Sequence, residues 1–153
     1  MSIEELKRKE NEQVVASFLQ LLADKKMDEW GELWAKKAVQ DMPFSPSGFP
    51  KRVEGREALI KHYSGLPETY GSMAFPELTF RPMLDPDWVS AEYRGELEVI
   101  ATGNSYNNYY CGLFHLQKGR ILLFREYYNP NALTRAFGGI EELTKSFSLK
   151  ENS

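Results

Sequence analysis

The chain has 153 residues, of which 42% are hydrophobic and 13% aromatic, enough for one buried core and too few for two domains. Its 19 Lys and Arg against 22 Asp and Glu leave a net charge of −3, which gives no electrostatic reason to expect nucleic acid or an anionic membrane as a partner. One cysteine, Cys111, excludes an intramolecular disulfide, and two histidines far apart make a zinc site a poor expectation. The charged N-terminus and the lack of any apolar run near about 18 residues argue against a leader peptide or a membrane span, so the expected location is cytoplasmic.

Val14, Val15, Phe18, Leu19, Leu21 and Leu22 recur at helical spacing and predict a first amphipathic helix. Asp28 is a candidate N-cap for a short second helix carrying Trp30, Leu33 and Trp34. Residues 39–44 read as a strand, and Ser45-Pro-Ser-Gly-Phe-Pro50 as a loop, because two prolines and a glycine suit neither helix nor central strand. Periodicity of 3.6 returns from Arg56 to Ser64, with Leu59, His62 and Tyr63 on one side, until Gly65-Leu-Pro67 ends it. The period then changes to 2, predicting strands over 73–84, 88–101, 105–117 and 120–129 joined by Asp85-Pro-Asp, Gly103-Asn104 and Lys118-Gly119. Asn129-Pro130 opens a last helical turn that Gly138-Gly139 closes, and the charged tail over 143–153 is read as able to fray. Helices followed by a run of strands indicate a single α+β domain over 1–153.

A two-residue turn at Lys118-Gly119 pairs Gln117 with Arg120 and, counting back, Cys111 with Glu126 and Leu113 with Phe124. That register groups Tyr109, Cys111, Leu113 and His115 with Leu122, Phe124, Glu126 and Tyr128. Arg125 belongs to the other face. A carboxylate among Phe124, Tyr128 and Leu113 has its charged form desolvated, which raises its pKa and suits a general acid; an exposed face with aromatic neighbours is the alternative. His62 is a second candidate, since imidazole exchanges protons near neutral pH, and a core histidine bonded to backbone is the alternative there. Asp41, just before the Pro-rich loop, is either a base facing a cavity or a turn former. Glu92, Arg94, Glu96 and Glu98 read as a solvated strand face with cross-strand ion pairs, with Arg94 as an alternative carboxylate binder. Trp30, Trp34 and Trp88 read as core or lid aromatics.

Three segments carry a family likeness: Val53-Glu-Gly-Arg-Glu-Ala-Leu59 with His62 following, Asp85-Pro-Asp-Trp-Val-Ser-Ala-Glu-Tyr-Arg-Gly-Glu96, and Gly119-Arg-Ile-Leu-Leu-Phe-Arg-Glu-Tyr-Tyr-Asn-Pro130. They resemble the phenazine biosynthesis protein A/B family, in the SnoaL-like branch of the nuclear transport factor 2-like superfamily. The resemblance implies a cone in which three N-terminal helices cover a bent antiparallel sheet around a pocket. It implies that Glu126 and His62 line the cavity where, in that family, two aminoketone acids condense. Tyr128, Phe124, Tyr109, Leu113, Phe18 and Trp34 are the expected substrate-binding residues. A comparison with ketosteroid isomerases of the same superfamily places Asp41 at their general base. It puts Phe18 and Gly112 where their oxyanion donors stand, so steroid-type isomerisation is not expected.

The resulting expectation is a small-molecule pocket protein, without cofactor or metal, that catalyses a condensation or isomerisation of a keto or imine metabolite. Glu126 is its acid, His62 its shuttle and Asp41 its base. The alternative is a carrier of an apolar metabolite on the same fold. Val89, Ala91, Tyr93, Leu97, Tyr110, Phe114, Leu123 and Tyr127 form the face expected opposite Glu126, which predicts a homodimer packed sheet to sheet with Arg125 at its interface.

Overall fold

Ser2 caps the first helix, α1 (Ile3–Ala23), by accepting from the Glu5 amide, while the Glu5 carboxylate accepts from the Ser2 amide in return. The computed structural model to which these observations belong describes residues 1–151. After α1 come α2 (Met27–Gly31), β1 (Trp34–Asp41), β2 (Arg52–Glu54), α3 (Arg56–Tyr63), α4 (Leu66–Thr69), β3 (Tyr70–Ala74), β4 (Thr79–Pro82), β5 (Trp88–Val99), β6 (Ser105–Gln117), β7 (Arg120–Tyr127), α5 (Pro130–Ala136) and α6 (Ile140–Glu151). The strands form one seven-stranded sheet in the order β2-β1-β7-β6-β5-β3, with β4 pairing the same edge of β5 beyond β3.

Five expectations change. The sheet is mixed, because β1 runs parallel to β7; the two strands are far apart in sequence, so no tight turn forces them antiparallel. Trp34 opens β1 instead of ending a helix, and Asp28 lies in the first turn of α2 while Lys26 occupies its N-cap position. The segment over 73–84 is two strands, interrupted where Glu77 takes a φ of 62°. The tail holds a helix to Glu151 whose Leu143 is fully buried; positions 152 and 153 lie outside the described residues.

The fifth change concerns register. Lys118 and Gly119 both have positive φ, 52° and 75°, as a tight hairpin turn of this twist requires. Gln117 pairs with Arg120 and Leu116 with Ile121, but His115 then pairs with Leu123, so Leu122 is an extra residue in β7. Beyond this bulge Phe124 faces Phe114 and Glu126 faces Gly112.

Phe18 is the hub of the core under α1. Its ring lies 5.4 Å from Trp30, 5.4 Å from Trp34, 5.8 Å from Phe114 and 5.5 Å from Phe124. Burial of rings of this size contributes about 1.5–3 kcal/mol each. Val89, Ala91, Tyr93, Leu97 and Phe114 are buried within the core and Tyr110 packs against it. They therefore do not supply the apolar outer face from which sheet-to-sheet dimerisation was expected. On the outer face Arg94 pairs with Glu77 and Glu96, and Arg81 with Glu92.

Candidate functional site

The inner side chains of β5, β6 and β7 and the helices over them enclose a cavity of about 110 Å³. Alternation along the strands selects its sheet wall. Tyr93 and Leu97 come from β5, Tyr106 and Tyr110 from β6, and Phe124 and Glu126 from β7, with Tyr128 just beyond. The opposite wall is Phe18, Leu19 and Leu22 of α1 with His62 and Tyr63 of α3.

Glu126 and His62 thus line one cavity, with Phe18, Phe124 and Tyr128 beside them. The remaining expected residues are elsewhere. Asp41 projects from the outer face, opposite Arg125, where it accepts hydrogen bonds from Arg52 at 2.7 Å and from Arg125 at 3.4 Å. Tyr109 is 76% exposed beneath the Arg94 guanidinium, and Leu113, opposite Ser90, shares its face. A ladder without the bulge puts both on the Glu126 face, and the bulge at Leu122 removes them from it. Trp34 is buried behind Phe18 and Phe124 and does not reach the cavity.

Gly112, the residue across from Glu126, carries no side chain to fill the space between them. A Cβ there would come within 2.9 Å of Phe114 and 3.0 Å of Phe124, whose rings stack at 4.2 Å. No carboxylic acid that could donate to an oxyanion could be housed at this position.

The Glu126 carboxyl receives one long hydrogen bond, from the Tyr93 hydroxyl at 3.4 Å. Enclosure by protein penalises its ionised form and raises it to about 7, against a smaller opposing effect of the Tyr93 bond. The same loss of solvent holds the phenols of Tyr63, Tyr93 and Tyr110 well above their ordinary range, so they remain neutral donors. Tyr63 donates to the side-chain oxygen of buried Gln40 at 2.7 Å. Tyr128 and Ser45 share a hydrogen bond of 3.0 Å.

At the far end of the cavity the donors outnumber the acceptors. Asn108 donates to the Tyr106 hydroxyl and to the Asn129 carbonyl, and its own oxygen accepts from the amides of Tyr109 and Asn129. All its hydrogen-bonding positions are filled. Tyr106 and Tyr110 are joined hydroxyl to hydroxyl at 2.8 Å, which consumes one of their two protons. The other has no acceptor among the described residues and is available to a carbonyl, ether or imine group of a ligand.

Sequence reasoning missed Tyr93, Tyr106, Tyr110, Phe49 and Phe147 as lining residues. Spacing puts Tyr93 and Tyr110 on one face, and the bulge makes that face the one that holds Glu126. Phe147 carried a signal that the tail's charge obscured: Leu143 and Phe147 are four residues apart, as on one helix face. Among the described residues no group of three His, Cys, Asp or Glu side chains converges as a metal ion would need, and no helix is long and apolar enough to cross a membrane.

The model of the SnoaL-like domain matches residues 15–124. Of curated proteins, YesE of Bacillus subtilis, an uncharacterised protein, is 33% identical over 127 residues, covering 83% of this chain and 86% of its own. An uncharacterised PhzA/B-like protein of Pseudomonas aeruginosa, PA3332, is 29% identical, covering 87% of this chain and 94% of its own. Among solved structures, a putative isomerase from Bacillus subtilis superposes with a TM-score of 0.83 at 31% identity, over 88% of this chain and 96% of its own. By the domain match over most of its length and by these likenesses, the chain belongs to the SnoaL-like domain family, on the α+β fold of nuclear transport factor 2-like proteins.

Proposed function

We propose that the cavity binds a keto or imine metabolite and that Glu126 is its general acid. The observation that carries this reading is the placing of one carboxyl group with a histidine and several neutral phenols around a single cavity. A carboxyl group raised to about 7 is protonated in a large fraction of molecules near neutral pH. It can give its proton to a carbonyl oxygen or imine nitrogen while His62 takes the proton released from the adjacent carbon, and it recovers its own when the enol or enamine returns to the keto or imine form. His62 lines the same wall and is the group to carry protons onward or to orient the substrate. The unclaimed proton of the Tyr106–Tyr110 pair holds an acceptor atom of the ligand. Asp41 has no part in this chemistry, since it is on the other face of the sheet. The names carried by the relatives, an isomerase and a phenazine A/B-like protein, are consistent with acid–base work on carbonyl compounds. No cofactor is required for it.

Exchange of the α-protons of 2-tetralone in deuterated water, followed by NMR, reads this chemistry without knowledge of the natural substrate. The protein is expected to accelerate exchange, and Glu126→Gln to lose about 10²–10⁴ of the acceleration while retaining binding. The carrier reading is favoured by the apolar side chains that dominate the lining. It prevails if 2-tetralone binds and Glu126→Gln leaves its exchange rate unaltered.

A further inference from the structure

The C-terminal helix lies outside the matched domain segment 15–124, yet it supplies part of the cavity wall. Gly138 and Gly139, with φ of 91° and 127°, reverse the chain after α5 in conformations that other residues rarely adopt. α6 thereby turns back over the cavity. Leu143 is completely buried and Thr144 lies against Gly48 of the loop after β1, so the helix is anchored one turn before Phe147. Residues four apart share a helix face, and the anchor at Leu143 therefore directs Phe147 inward. Its ring meets Phe49 edge-on at 4.7 Å and Phe137 at 5.7 Å, and stacks on the His62 imidazole at 6.1 Å with an interplanar angle of 25°.

Resting on the reading of the cavity as a ligand site, we propose that Phe147 is a specificity-determining and positioning residue: it closes the end of the cavity against large ligands and holds the His62 ring face toward the bound molecule. Phe147 is a lining residue, its ring is large and rigid, and it covers one face of the histidine. Its removal enlarges the cavity at that end and takes away the ring that lies stacked on His62, whose edge contacts with Phe49 and Tyr63 remain.

The test compares the full-length protein with Phe147→Ala, Phe147→Leu and Phe147→Trp. Circular dichroism and thermal melts establish that each is folded, and the leucine and tryptophan variants carry the test if the alanine variant is not. Dissociation constants are measured for cyclohexanone and for the larger 2-tetralone. The preference for 2-tetralone over cyclohexanone is expected to rise about tenfold in the alanine or leucine variant and to fall below the parent's in Phe147→Trp, in keeping with the discrimination that a few methylene-sized changes in a pocket provide. The imidazole NMR signals of His62 are expected to move when the aromatic ring is lost in Phe147→Leu, while those of His115 stay in place. An unchanged preference, equal weakening of both ketones, failure of both ketones to bind parent and variants, or an unmoved His62 signal overturns the proposal. Ketones sorted by size in this way, but not turned over in dependence on Glu126, would defeat the acid-catalysis reading and leave this one standing.

Discussion

Strand β6 belongs to two hairpins of unlike construction. Against β5 it pairs without interruption from Trp88 and His115 to Glu98 and Ser105, and alternation alone sorts its side chains. Val89, Ala91, Tyr93 and Leu97 share the inner face with Phe114, Gly112, Tyr110 and Tyr106. Against β7 the same strand slips by one residue at Leu122, and that slip brings Phe124 and Glu126 to the inner face. A regular ladder inherits its sidedness from the turn. A bulged one resets it part-way along, and here the reset delivers the carboxyl group to the cavity.

Inserting an alanine between Leu123 and Phe124 attacks that difference directly and is expected to have the largest effect. Either the residues from Phe124 onward exchange faces, burying Arg125 and expelling Glu126, or the hairpin is broken. Both leave buried groups unpaired, and a loss of more than about 4 kcal/mol is expected in urea unfolding. An insertion variant as stable as the parent would show that the residue count between the turn and Phe124 does not set the register.

Glu126→Gln comes next and has the opposite sign. Because the folded-state pKa of Glu126 is raised to about 7 from an ordinary value of 4.5, the native state holds its proton more tightly than the unfolded chain. The stability associated with this group is complete below pH 4.5, declines as pH rises toward 7, and is constant beyond; the total is on the order of 3 kcal/mol. The glutamine variant escapes the decline. Its melting temperature is expected to exceed the parent's at pH 8, and the two are expected to converge at pH 4. A variant that melts below the parent at pH 8 would mean that the charged carboxylate is well accommodated.

Gly112→Ala probes the residue opposite Glu126. The added methyl group meets the stacked rings of Phe114 and Phe124, neither of which has room to retreat from the core, and a loss of about 1–3 kcal/mol is expected in chemical denaturation. The smallest effect belongs to the outer face. Arg125→Ala removes a contact of 3.4 Å to an Asp41 that Arg52 already holds at 2.7 Å, so less than about 1 kcal/mol is expected, with binding of 2-tetralone unchanged.

Much of this architecture was legible from local signals. The periods of 3.6 and 2, the hairpin turns at Gly103-Asn104 and Lys118-Gly119, and the face shared by Tyr93, Leu97, Tyr110 and Phe114 follow from sequence spacing. Glu126 and His62 could be paired because a family likeness related α3 to the last strand. The errors arise where the local pattern carries no signal of what the chain does. Nothing near Leu122 announces a bulge. Asp41 faces outward because β1 joins β7 in parallel, a contact between strands separated by most of the chain. The tail reads as polar until the burial of Leu143 and the rings surrounding Phe147 show which side of α6 is covered.

The parallel pairing of β1 with β7 has a consequence for how the molecule is made. During synthesis β1 and β2 emerge early with α1, but β1 has no partner on its other edge until β7 follows much later. The strand that joins the two halves of the sheet is the last one translated. Closing so long a loop delays sheet completion, because its entropic cost precedes the contacts that offset it. Until then, the facing edges of β1 and β6 present unpaired backbone groups to any neighbouring nascent chain. Ribosome stalling or proteolysis ahead of Arg120 would therefore yield fragments with two open edges, prone to aggregate instead of remaining as a half-built fold.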